Sequence, residues 1–168
     1  MKKYKEYVKK TTIYLETSIF GFYFDENPRN ILKRESVKRL FAQIKAGLFI
    51  PITSPITVKE LSKAPSPLRE SLLLLLSDLE CEIVGDNEDE IESLSQKYIR
   101  EGVVPEKYAD DARHIAYAVV NKVDVLISYN LEHIANEWKI RKINSVNIKE
   151  GYPLLSVRTP EEVIRYEY

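Results

Sequence analysis

The stretch PEKYADDARHIAYAVVNKVDVLIS (Pro105–Ser128) reads as a helix followed at once by a buried strand. Proline stands at its start, an Ala/Ile/Val stripe runs along the helix, and the aliphatic run Val123–Ser128 follows. A helix feeding directly into a short apolar strand is the repeating unit of a parallel sheet with both faces covered. Outward from there the unit recurs. TTIYL (Thr11–Leu15) is a strand that stops on Glu16, Thr17 and Ser18. Ile31, Val37, Leu40, Phe41 and Ile44 recur at helical spacing before the stop at Gly47. Leu48–Ser54 is a second strand, and Pro51 inside it predicts an edge or irregular one. Pro55–Lys63 is a short helix containing Glu60, and SPLRESLLLLLSDL opens another with Ser66 as cap and Pro67 at the first helical position. Cys81–Val84 forms a brief third strand, and a helix from about Asn87 to Arg100 ends at Gly102. Residues 131–151 read as helical to Gly151, Leu154–Arg158 as the last strand, and Thr159–Glu162 as a cap opening a terminal turn. The prediction is one domain over residues 1–168, a three-layer α/β/α sandwich on a mostly parallel five-stranded sheet, with a basic tail over residues 1–10.

Bulk properties agree. A chain of 168 residues can bury one sizeable core but not comfortably two. With 44% hydrophobic and 30% charged residues it is not of the disordered class. A net charge of -1 argues against gripping nucleic acid by an overall positive field and leaves local basic patches open. The single cysteine, Cys81, excludes an internal disulfide and a cysteine-based zinc site, and fits a reducing compartment. The longest apolar run, Leu72–Leu76, is too short to span a bilayer, and MKKYKEYVKK lacks the apolar segment of a signal peptide. The expected location is the cytoplasm.

Several acids occupy suggestive positions. Glu16 follows the first strand, Glu60 sits on the helix after the second, Asp110 and Asp111 open the Ala-rich helix, and Asn130 follows VLIS. In a parallel sheet the carboxyl ends of the strands share one edge, so Glu16 and Asn130 are expected to be neighbours. Oxygen donors of this kind suit magnesium or manganese. Each has a plainer alternative: Glu60 as a solvated helix residue, Asp110 and Asp111 as partners of the helix dipole, Thr17 or Ser18 as a cap. Asp111 shares a flank of the apolar stripe with Ile115 and Ala118, whereas Asp110 is expected to project toward water with His114 and Tyr117. His114 and His133 lack partners at metal-binding spacing and read as structural or surface groups.

Taken in order, IYLETS, the isolated Glu of VKEL, DARHIAYA and VDVLISYNLEHIAN resemble the PIN domain, over roughly Thr12 to Ile164. The pair DARHIA and SYNLEHI is the most specific part. The resemblance implies a five-stranded α/β/α sandwich and a metal-dependent ribonuclease, usually a homodimer, from a family that includes the VapC-type toxins of toxin–antitoxin pairs. It places Glu16, Glu60 and Asp111 at three acidic positions that would hold Mg2+ or Mn2+, with Asn130 as a fourth catalytic position and Ser18 and Asp110 in support. Two departures stand out: Glu16 replaces the usual Asp, and Asn130 brings an oxygen without charge, which favours one metal over two. A binding or scaffold module with weakened catalysis is the competing reading, and Glu16 and Asn130 are the features that favour it. A receiver-like signalling domain needs a lysine after its last strand, where this chain has Arg158-Thr159.

Hydrolysis by this route needs an activated water and no nucleophilic side chain. Single-stranded RNA is the expected substrate, since unstacked bases enter a narrow acidic groove. Candidate phosphate contacts are Arg29, Lys33, Arg34, Lys38 and Arg39 on the first long helix and Arg113 near the acids, with Lys2, Lys3, Lys5, Lys9 and Lys10 as a possible arm. The Leu72–Leu76 run exceeds what one core face needs, so part of it is expected to pack against a second subunit. An antitoxin protein is the other expected partner.

Overall fold

The computed structural model describes residues 9–166. Strands β1 (Thr11–Leu15), β2 (Phe49–Thr53), β3 (Glu82–Ile83), β4 (Val125–Ile127) and β5 (Ser156–Arg158) form one sheet in the order β3-β2-β1-β4-β5. Every neighbouring pair is parallel, so the sheet is wholly rather than mostly so. The helices are α1 (Thr17–Tyr23), α2 (Ile31–Lys45), α3 (Pro55–Leu61), α4 (Leu68–Asp78), α5 (Glu88–Arg100), α6 (Ala109–Val120), α7 (Glu137–Lys149) and α8 (Pro160–Val163). None is long and apolar enough to cross a membrane.

The two-residue period of the strands sorts the core into two layers. Tyr14, Ile52, Leu126 and Val157 point to one face, against Ile91 and Leu94 of α5, Ile115 of α6 and Ile143 of α7. Ile13, Leu15, Phe49 and Ile127 point to the other, against Phe20 of α1, Leu40 and Phe41 of α2, and Leu72 and Leu75 of α4. Both faces are therefore dry, which is why the strands read as continuous apolar runs. Leu74 of the same helix stays 62% exposed.

Strands β4 and β5 are shorter than expected, α6 starts at Ala109 after a 3-10 turn rather than at Pro105, and three further features differ from expectation. Pro51 lies in an interior strand, not at an edge, because β3 is only two residues long. It pairs with Ile52 and Thr53, so the proline sits where β2 has no neighbour on that side. Helix α4 begins at Leu68, with Pro67 itself in the cap position and Ser66 Oγ donating to Glu70 Oε1 at 2.7 Å. The helix expected from residue 131 starts at Glu137, where Asn136 Oδ1 accepts from the Lys139 amide at 3.0 Å. Asn136 Nδ2 also donates to the Leu131 carbonyl at 2.6 Å, tying the helix start to the turn before it. Asn136→Ala is expected to lower unfolding free energy by about 1–2 kcal/mol, read as an earlier urea midpoint with unchanged slope. An unchanged midpoint would deny the cap that role.

Candidate active site

The chain runs outward through β1, β2 and β3, then returns to β4 and β5 on the other side of β1. The gap between β1 and β4 is thus the point where the winding reverses, and crevices for ligands form at the carboxyl ends of strands there. Glu16 closes β1 and Ser128–Asn130 follow β4, on that edge.

Glu16 is 4% exposed, and its Oε2 accepts from Ser18 Oγ at 2.5 Å and Ser128 Oγ at 2.9 Å. The two hydroxyls in turn accept from the Tyr129 and Asn130 amides at 3.0 and 2.9 Å. The carboxylate is therefore seated by the turn after β4 as well as by its own strand. Ser18, on the first turn of α1, thus stands directly beside Glu16.

Glu60, expected on α3, is half-buried and not a solvated helix residue. Its Oε1 accepts from Thr17 Oγ1 at 3.1 Å and from His114 Nε2 at 2.5 Å. His114 is fully buried, with Nδ1 at 2.7 Å from the Tyr14 hydroxyl, itself 2.6 Å from Ser54 Oγ. When Nδ1 accepts from Tyr14, or when the ring is protonated at both nitrogens, Nε2 carries the hydrogen that Glu60 accepts. Burial opposes a charge on His114. The hydrogen bond to Glu60 and the negative charges of Glu16, Glu60 and Asp111 outweigh that cost and hold its pKa above the ordinary imidazole value. Burial likewise pushes the Glu60 pKa up, but His114 and Thr17 overcome it and hold it below the usual carboxylate range.

The sign of the linkage follows. A raised His114 pKa contributes stability below the unfolded value, about 6.5, which is lost as pH climbs through the folded pKa. A lowered Glu60 pKa contributes stability above about 4.5, lost as pH falls through the folded pKa. The pair is thus expected to contribute most between about pH 4.5 and 6.5. In Glu60→Gln, chemical denaturation across pH should show that rise flattened; an unaltered profile would refute the coupling.

Asp111, on α6, is held by His133, whose Nδ1 lies 2.9 Å from Asp111 Oδ2. Asp110 is a different kind of acid. Burial raises its pKa, but Arg113 Nη1 at 2.7 Å and Lys59 Nζ at 3.7 Å bring it below the usual range. Arg113 also reaches Glu92 through Nε at 2.8 Å, so the guanidinium proposed for RNA is engaged by two carboxylates. The expectation that His114 and Tyr117 face water with Asp110 fails. Both are buried, because α6 is wedged between the sheet and α5 and hides nearly its whole circumference. Nor is either histidine a surface group: each is buried and paired with one of the predicted acids.

Asn130 Oδ1 accepts from the His133 amide at 3.1 Å, and its carbonyl accepts from the Ile134 and Ala135 amides. It thereby shapes the turn that carries His133 to Asp111. On α2, Lys33 lies over the Phe22 and Tyr129 rings at 5.0 and 5.3 Å, Lys38 over Tyr23 at 5.5 Å, and Arg39 over Tyr166 at 4.9 Å. Arg34 Nη1 donates to the Asp25 carbonyl at 3.2 Å, and Arg29 is exposed, its amide bound to Asn27 Oδ1. Lys2, Lys3 and Lys5 lie outside the described residues.

For a hard divalent cation the donor chemistry fits. Glu16, Glu60 and Asp111 each commit one carboxylate oxygen to a supporting side chain, and the other has no hydrogen-bond partner among the described residues. Supported carboxylates of this kind are how proteins orient ligands to metals. Among the described residues no group of three carboxylate, imidazole or thiol side chains is drawn close enough to hold an ion by itself. The fit is therefore to an ion bound through one or two carboxylates with water completing its shell, the habit of magnesium.

The backbone fold has a counterpart among solved structures. The crystal structure of VapBC2 from Rickettsia felis, bound to a DNA fragment from its promoter, aligns with 89% of this chain and 98% of its own, at a TM-score of 0.53 and 16% identity. The fold is PIN-like. At that identity the likeness is one of backbone architecture. No protein-family model matches the chain, and no curated protein matches it in sequence.

Proposed function

We propose that this PIN-like protein is a metal-dependent endoribonuclease that hydrolyses phosphodiester bonds of single-stranded RNA. The observation that supports this reading is the placement of Glu16, Glu60 and Asp111 around His114 at the winding reversal of the sheet, each with one oxygen uncommitted. A bound Mg2+ or Mn2+ would supply an activated water and draw charge from the phosphate. One or two of the three acids would hold it directly through their uncommitted oxygens, and the remainder would reach it through water. His114 and Thr17 fix Glu60, Ser18 and Ser128 fix Glu16, and His133 fixes Asp111. Asn130 keeps its side-chain NH2 free among the described residues to orient the attacking water. No side chain serves as nucleophile.

The partners proposed are RNA, a second copy of the chain, and an antitoxin protein, the last by analogy with the VapBC2 neighbour. A second copy would cover Leu74 on α4. The deciding test is incubation with labelled single-stranded RNA in Mn2+ and in EDTA, with cleavage expected only in the first. The second reading, a binding module with weakened catalysis, is favoured by the absence of a ready three-ligand cage among the described residues. RNA retained but never cut would establish it.

A further inference from the structure

Two of the three acids, Glu60 and Asp111, line a cleft of about 380 Å3 together with Asp110, Lys59, Lys107, Tyr108 and Arg113. Its volume is that of a small-ligand site. The cations in it are not equivalent. Arg113 is held by Asp110 and Glu92, and Lys59 stands 3.7 Å from Asp110. Lys107 has no carboxylate partner among the described residues; its ammonium lies 5.4 Å from the centre of the Tyr108 ring.

Tyr108 is the unusual residue. It stands immediately before α6, belongs to neither apolar core, and is 38% exposed. Its ring lies 4.2 Å from that of His133, tilted by 39°. His133 is in turn fixed by Asp111 at 2.9 Å. A partly exposed aromatic ring thus rests against His133 in the cleft, two contacts from a candidate acid, with an ammonium beside it that has no carboxylate partner among the described residues. That combination of π-face and mobile cation is what an unpaired nucleotide binds: stacking for the base, charge for the phosphate.

We propose that this cleft is a nucleotide subsite, in which the base next to the bond being cut stacks on Tyr108 while Lys107 swings from the ring to the neighbouring phosphate. The proposal rests on the ribonuclease reading and adds to it the residues that select an unpaired strand. The test is fluorescence anisotropy with a short labelled single-stranded RNA, in EDTA to prevent cleavage. Tyr108→Ala is expected to weaken binding about tenfold, the loss of one stacked base, while Tyr108→Trp retains it. An RNA with an abasic position at the stacked nucleotide should bind the parent about tenfold more weakly and show no further loss with Tyr108→Ala. Lys107→Gln should reduce the slope of log affinity against log salt by about 0.7. Because Tyr108 is exposed, its variants should unfold at the parent's temperature. Parent-like RNA affinity in Tyr108→Ala, with manganese-dependent cleavage intact, would overturn the subsite and leave the ribonuclease reading standing. A parent protein that neither binds nor cuts RNA would overturn both.

Discussion

Asp111→Asn is expected to reduce manganese-dependent cleavage of single-stranded RNA by at least about a hundredfold while leaving the metal-free protein as stable as the parent, or slightly more so. Asparagine keeps an oxygen for His133, so the turn after β4 need not move, but it removes charge on which a hard cation depends. It also relieves repulsion, since Asp111 shares the surroundings of His114 with Glu16 and Glu60. The two effects separate in one experiment. Metal at ten times its dissociation constant should add about 1.4 kcal/mol to the parent, a melting shift of about 3–6 °C. The Asp111→Asn protein should show little or none. Asn130→Asp tests the converse: it preserves the acceptor for the His133 amide, adds a fourth charge, and should increase the manganese shift while lowering the metal-free melting temperature. Equal shifts in all three proteins would dissolve the proposed site, and the binding-module reading would replace it.

His114→Ala carries the largest stability change expected of any substitution in the site, about 3 kcal/mol, or a fall of about 6–12 °C in melting temperature. The side chain is fully buried and bonded at both nitrogens, so its loss leaves the Tyr14 hydroxyl with Ser54 alone and Glu60 Oε1 with Thr17 alone, and opens a cavity against β1. Part of that cost belongs to Tyr14. In the double variant with Tyr14→Phe, the hydrogen bond the two residues share is lost only once, so the combined loss should be less than the sum of the two single losses. Strict additivity would mean that the two groups are not energetically coupled. A His114→Leu protein as stable as the parent would show that the residue fills space and holds nothing.

How far the sequence could be read depended on the range over which each signal acts. The sheet, its strand order along the chain and its covered faces follow from runs of five or six residues, a local property, and Pro105–Ser128 alone contained the unit. The interior place of Pro51 was illegible because it depends on the shortness of β3, about thirty residues away. The start of α7 was legible in principle, for Asn136 is a strong cap; the helical spacing of Leu131, Ile134 and Ala135 masked it. Glu16, Glu60 and Asp111 could be named together only through the resemblance of IYLETS, VKEL and DARHIA to the PIN pattern, since each acid alone also reads as a capping, dipole or solvated residue. The partners of His114 lie 54 and 100 positions away, at Glu60 and Tyr14. No spacing rule reaches that far, and the histidine read as an ordinary core or surface group.

The reversal of winding between β1 and β4 has a consequence in time. Glu16 is seated by Ser128, a residue 112 positions later. A ribosome adding about 5–20 residues each second therefore presents the first acid of the site several seconds before the hydroxyl that holds it. The amino-terminal half, through β3, can lay down three strands and the helical layer of α1, α2 and α4 while still lacking the layer of α5, α6 and α7, and with it Asp111, His114 and the turn after β4. If this chain cuts RNA, it is synthesised beside abundant RNA in a form that has no means to do so, and it becomes competent only when the returning half docks.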